Sequence, residues 1–170
     1  MIRKFLLLAS SFAALAAATA LPAGSATPAS FTLTAGVLGI SEPTAGVSLG
    51  TQVVSNSSST ISGPLGAVTV SDQRGGVTAW TASVISTAFT PDAGPAVPAI
   101  NLSYAAGPVT ASATVTPTAI AGVNLTGVTT IMTGASTGIS SASWNPTISV
   151  LVPANFAPGI YRATITHSVA

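Results

Sequence analysis

The stretch Gly66 to Ser86, "GAVTVSDQRGGVTAWTASVIS", carries the reading of the whole chain. Val68 and Val70 flank Thr69, and twelve residues later Trp80, Ala82 and Val84 flank Thr81 and Ser83. A period of two, apolar against hydroxyl, is the mark of a strand with one buried face. Beyond Val84 the run "VISTAF" blurs that phase. Between the two alternating runs lies "SDQRGG", a turn or crossing in which Gly75 and Gly76 are free to take positive φ. Asp72 and Arg74 inside it are expected to pair locally or to bind backbone at the end of a sandwich.

The same period recurs on both sides of this stretch. Phe31, Leu33, Ala35 and Val37 alternate with Thr32 and Thr34, which predicts a first strand over Ser30 to Val37. Val109, Ala111, Ala113 and Val115 alternate with Thr110, Ser112 and Thr114 as one further strand. Trp144, Ile148, Val150 and Val152 share a face, as do Tyr161, Ala163, Ile165 and Val169. Gly, Pro or Asn break the chain about every eight to twelve residues, a spacing typical of sandwich strands. "NSSSTISGPLG" (Asn56 to Gly66) reads as a polar loop and "TGASTGISSAS" (Thr133 to Ser143) as a flexible turn region. "TPDAGPAVPA" (Thr90 to Ala99) holds three prolines that forbid a central strand. No 3.6-residue period lasts three turns after Ala26. The expected fold is all-β, a single antiparallel Ig-like β-sandwich, with 30–170 folding as one unit.

The first residues, "MIRKFLLLASSFAALAAATALPAGSATPAS", place Arg3 and Lys4 before an apolar run from Phe5 to Leu21 and then small residues. That is the order of a secretory signal peptide. Gly24 and Ala26 favour a cut after Ala26, with Ala20 and Ala29 as alternatives. The resulting division is residues 1–26 as signal peptide and 27–170 as the β-sandwich domain. As a membrane anchor the apolar run would sit at the short end of the roughly 17–25 residues that span a bilayer. The reading is therefore secretion, with no membrane association after cleavage.

Cleavage leaves Arg74 and Arg162 against Glu42, Asp72 and Asp92, a small net negative charge. Nucleic-acid binding needs clustered cations, and none are present. Charged residues make up 4% of the chain, against roughly a quarter in ordinary globular proteins. Ser, Thr and Asn must keep the surface wet, and little repulsion opposes contact with a neutral polymer or with another copy. The chain has no cysteine, so packing and backbone pairing must stabilise it without disulfides.

Near the C-terminus, "PANFAPGIYRATITHSV" is a Pro/Gly turn followed by a Gly-x-Tyr entry into an alternating strand. A tyrosine so placed in Ig-like sandwiches often returns its hydroxyl to the chain at the sheet corner. Together, "DQRGGVTAWTASV" and "GIYRATITHSV" resemble the WxL domain of Gram-positive surface proteins, in which an Asp-x-Arg element leads to a Trp and a Tyr-led strand closes the domain. Asp72, Arg74 and Trp80 match the first element, and Tyr161 with the alternation after it matches the second. Ala82 stands where the family has Leu, and His167-Ser168-Val169 stands where its second Trp-x-Leu would be. The resemblance covers roughly Ala67 to the C-terminus. It implies a secreted bacterial β-sandwich associated non-covalently with the cell wall.

Trp80, on the inward phase, is expected to anchor the core, burying about 150–250 Å². His167 shares a phase with Ile165 and Val169 and is expected to be neutral and hydrogen-bonded. One histidine cannot assemble a zinc site of about four ligands, and the sparse acids do not make a calcium loop. Neither a Gly-x-Ser-x-Gly elbow nor a pair of carboxylates in an aromatic cleft is present. The expectation is a non-enzymatic surface protein with no cofactor, whose partner is peptidoglycan or another wall polymer, with another copy or other surface proteins as further candidate partners. The alternative is a self-assembling fibre or surface-layer subunit that pairs strand edges, through Ser30 to Val37 or through the C-terminal strand.

Overall fold

The structure, a computed structural model, describes residues 24–170. The expected signal segment, 1–26, lies almost wholly outside the described residues. A first unit ends at Leu33, and Thr34–Ala170 forms a second, compact unit. That second unit holds twelve strands: β1 (Leu38–Ser41), β2 (Ser59–Pro64), β3 (Val68–Asp72), β4 (Thr78–Ser86), β5 (Leu102–Ala105), β6 (Val109–Ala111), β7 (Val115–Ala119), β8 (Gly122–Val123), β9 (Thr129–Ser136), β10 (Ser140–Trp144), β11 (Thr147–Val152) and β12 (Ile165–Val169). Among the described residues the helical content is one 3-10 turn, Ala99–Asn101.

The strands form three antiparallel sheets of four, ordered β1-β3-β10-β6, β2-β11-β5-β8 and β12-β4-β9-β7. The fold is all-β and sandwich-like, as the alternation requires. Each sheet sends its apolar phase into one shared core: Val68, Val70 and Trp144 from the first, Leu102, Tyr104 and Ile148 from the second, Trp80, Val84 and Ile131 from the third. Removing such side chains from water contributes roughly 25 cal/mol per Å². The opposite phase carries hydroxyls. Ser41, Thr69, Ser143 and Thr110 stand in one row across the first sheet, where the Thr69 hydroxyl donates to Ser143 Oγ at 2.9 Å.

The alternation of β4 does not blur at "VISTAF": Val84 and Ser86 are both buried, with Ile85 between them half-buried. Its neighbour β9 does change phase. A bulge opposite Ala82/Ser83 inserts Ile131, so that Ile131 and Met132, adjacent in sequence, are both buried.

Four expectations are corrected. The first strand does not run over Ser30 to Val37. Strand β1 starts at Leu38, while Phe31, Leu33 and Val37 are 86%, 87% and 75% exposed. Its partner β3 ends at Asp72, and the last ladder bonds run from the Gly36 amide to the Gln73 carbonyl and from the Gln73 amide to the Val37 carbonyl. Before Gly36 no strand among the described residues pairs with the chain. The polar loop Asn56 to Gly66 instead contains β2, which pairs with β11 over six residues. Thr60 and Ser62 face outward from this edge strand, so low hydropathy concealed it. "TGASTGISSAS" is mostly strand as well, since β9 and β10 leave only Thr137 to Ile139 as the turn. Finally, "VTASATVT" is two strands: β6 joins β10 and β7 joins β9. The chain changes sheet at Ser112 to Thr114, where the Val115 amide turns back to the Ser112 carbonyl.

Candidate functional site

Asp72 ends β3 with its carboxylate fully buried. Gly75 and Gly76, at φ 72° and 70°, reverse the chain so that Arg74 and Thr78 both face it. Arg74 donates from Nε to Oδ1 and from Nη2 to Oδ2, each at 2.9 Å, while its amide donates to Oδ1 at 3.1 Å. The Thr78 hydroxyl donates to Oδ2 at 2.8 Å. Nη2 reaches on to the carbonyl of Ala79, the residue before Trp80, at 2.8 Å. The expected local pair is therefore a forked clasp across the β3–β4 connection.

The Arg74 hydrogen bonds hold the Asp72 carboxyl well below the usual carboxylate range. Burial opposes this, and Thr78 adds to the lowering. The same pair raises the Arg74 value. A carboxylate whose folded pKa is depressed stabilises the fold above its ordinary value of 3.8 and loses that contribution as pH falls below it. Asp72→Asn is therefore expected to lower the melting temperature at pH 7, and the gap from the parent should narrow as pH drops below about 4. Thermal melts from pH 7 to pH 2 check this; a constant gap would show that charge is not what the clasp contributes.

A second cluster lies in the core. The Trp144 indole N–H donates to Tyr104 Oη at 2.8 Å, and Tyr104 Oη lies 3.1 Å from His167 Nε2. His167 Nδ1 bonds the Glu42 carboxylate. Burial pushes the Tyr104 phenol above its ordinary value; the Trp144 bond opposes this and the nearby Glu42 charge adds to it. The phenol thus keeps its proton, which it donates to Nε2, leaving Nδ1–H to donate to Glu42. This proton order is assigned from the bonding pattern. Trp144 belongs to the first sheet, Tyr104 to the second and His167 to the third, and Glu42 directly follows β1, so one relay stitches all three sheets together.

A base set between a carboxylate and a hydroxyl has the outline of a nucleophilic triad. Here, however, the hydroxyl is a phenol 1% exposed, its pKa is raised, and it already accepts from an indole. A nucleophile needs access and a lowered pKa. The arrangement suits cohesion, and among the described residues no group of three His, Asp or Glu side chains could hold a metal ion. Two surface depressions are lined by Thr87, Ala88, Thr90, Arg162, Ala163 and Thr164, and by Gly39, Ile40, Ser41, Thr69 and Ser71. Arg162 is the one ionisable group between them, and it pairs with Asp92 at 3.4 Å on the open surface.

Trp80 is buried, as expected, with its indole lying over Gly134, its partner on β9. The Tyr161 hydroxyl donates to the Ala157 carbonyl at 2.9 Å, the expected return to the chain four residues upstream. The two family-like elements come together: β4 and β12 pair with Ala82 opposite Val169 and Val84 opposite His167. Sequence reasoning missed Glu42 and Tyr104 as partners of His167. Their separations of 125 and 63 residues hide the contact. The available signal was scarcity, since a buried histidine in a chain this poor in charge must find its partner among very few groups. Comparison with protein-family models, with characterised proteins and with solved structures returned no match.

Proposed function

We propose that this chain is an exported, non-enzymatic surface protein of WxL-like type, held non-covalently on the cell wall by contact with peptidoglycan or another wall polymer. One observation carries the reading. Among the described residues every Asp, Glu, Arg and His is committed to a pair: Asp72 with Arg74, Glu42 with His167, Asp92 with Arg162. The sheet faces are left with hydroxyls and a few exposed aliphatic side chains such as Val123 and Leu151, a surface suited to contact with a polymer through hydroxyls and apolar faces. The signal-like N-terminus supports export, and the Asp72/Arg74/Trp80 and Tyr161 elements support the WxL-like reading.

Pelleting of purified protein with isolated cell walls tests it. The bound fraction is expected to change by less than about twofold between low and high salt, because screening acts on charge and this contact has little. Protein left in the supernatant at every salt and pH would overturn wall attachment. A steep loss of binding with salt would point to an ionic contact instead.

A further inference from the structure

Two parts of the chain lack a strand partner among the described residues. The first is the alternating segment ahead of β1. Phe31, Leu33 and Val37 are exposed, Ser30 to Val37 lie in no strand, and no charged residue occurs between Gly24 and Ser41.

The second is the outer edge of β12. Ala170 and Thr81 exchange both backbone bonds, at 2.8 and 3.0 Å, and the Thr87 amide bonds the Thr164 carbonyl. The register between these points is unbroken, so the even-numbered residues of β12 face β4. The amides and carbonyls of Ile165, His167 and Val169 therefore point to the other side. Among the described residues no strand pairs with them there.

The remaining edges are less open to an added strand. β7 has Pro117 at its centre, β2 ends on Pro64, β1 is four residues long and runs into Glu42 and Pro43, and β6 and β8 are three and two residues long. β12 has no proline, lysine or acid, the residues that usually guard an edge. β1 and β12 touch, and Leu38, Ile40, Ile165 and Val169 are only partly buried against the core. An added strand with apolar residues at every second position would cover that margin.

The geometry points to strand addition between copies: the Phe31–Val37 segment of one molecule pairs with the free edge of β12 in the next. A return to the segment's own chain would need a turn just before Leu38, and Gly36 and Val37 are instead engaged in extending the β1 ladder to Gln73. The donor segment and the acceptor edge are different surfaces, so the contact is heterologous and propagates from copy to copy as a ring or an open chain.

The absence of cysteine gives a clean test. Single variants Thr32→Cys and Ser168→Cys are mixed and oxidised; a disulfide-linked heterodimer is expected, well above either variant alone. In sedimentation, the double variant Phe31→Asp/Leu33→Asp is expected to weaken assembly by roughly tenfold or more with the melting temperature unchanged. A peptide spanning Pro28 to Gly39 should compete with assembly. A wild-type protein that stays monomeric overturns the proposal, as does unaltered assembly of the Asp variant, or a disulfide that forms only within single molecules of a Thr32→Cys/Ser168→Cys double variant. Wall pelleting is read separately, so a monomer that still pellets with walls refutes strand addition and leaves wall attachment standing.

Discussion

Trp80→Ala is expected to lower the free energy of unfolding by about 3–5 kcal/mol, the cost of removing a large buried aromatic and leaving its cavity. The size of the effect comes from how the indole is held. Gly134 stands directly opposite on β9, and a methyl group there would lie 2.6 Å from the indole Nε1 and closer still to the ring carbons. The ring occupies the space that any other residue at position 134 would fill. Gly134→Ala is therefore expected to cost about 2–3 kcal/mol through overpacking. Trp80→Phe/Gly134→Ala should be less damaging than the sum of its single changes, because the smaller ring makes room for the methyl group. Chemical denaturation of the four proteins measures this coupling. If Trp80→Ala instead melted like the parent and abolished wall binding, the indole would be a binding platform and its assignment to the core would be wrong.

Tyr104→Phe is the second large effect. It removes one oxygen and leaves two buried partners, the Trp144 N–H and His167 Nε2, without a bond. Each such loss costs about 1–3 kcal/mol, and about 2–4 kcal/mol together is expected. Glu42→Gln should cost less than about 1 kcal/mol, because that side chain is 37% exposed and an amide oxygen can still accept from Nδ1. The relay also sets an alkaline limit. A phenol whose folded pKa is raised stabilises the fold fully below its ordinary value of 10.0, and this contribution is lost as pH rises beyond it. Stability of the parent should fall above pH 10, and Tyr104→Phe should show a shallower fall. Urea titrations at pH 7, 9 and 11 check both the magnitude and the slope. Equal slopes would show that Tyr104 does not control the alkaline side.

What could be read in the sequence depended on the range of the interaction. The Asp72–Arg74 clasp was legible because its partners are two residues apart and the glycines that fold them together lie between Arg74 and Thr78. The Tyr161 corner was legible for the same reason, its acceptor being Ala157. The inward phase of Val68, Val70, Trp80, Ala82 and Val84 followed from alternation alone. Strand β2 was not legible, because its outward hydroxyls make it look like a loop until β11 supplies a partner. Nor was the division of "VTASATVT", whose unbroken alternation gives no sign that β6 and β7 belong to different sheets.

The sequence by itself determined the inward phase of Val68, Val70, Trp80, Ala82 and Val84, since that depends on backbone geometry repeating every two residues. It also determined that the fold is all-β and nearly free of charge. Only the tertiary structure decided which strands pair, that Glu42, Tyr104, His167 and Trp144 meet in one relay, and that Phe31 to Ala35 pairs with no strand among the described residues. Pairing is a competition among distant segments of similar composition. Its outcome depends on register, on bulges such as the one at Ile131 and on which edge remains open, and none of these is encoded within a few residues of the strand that they affect.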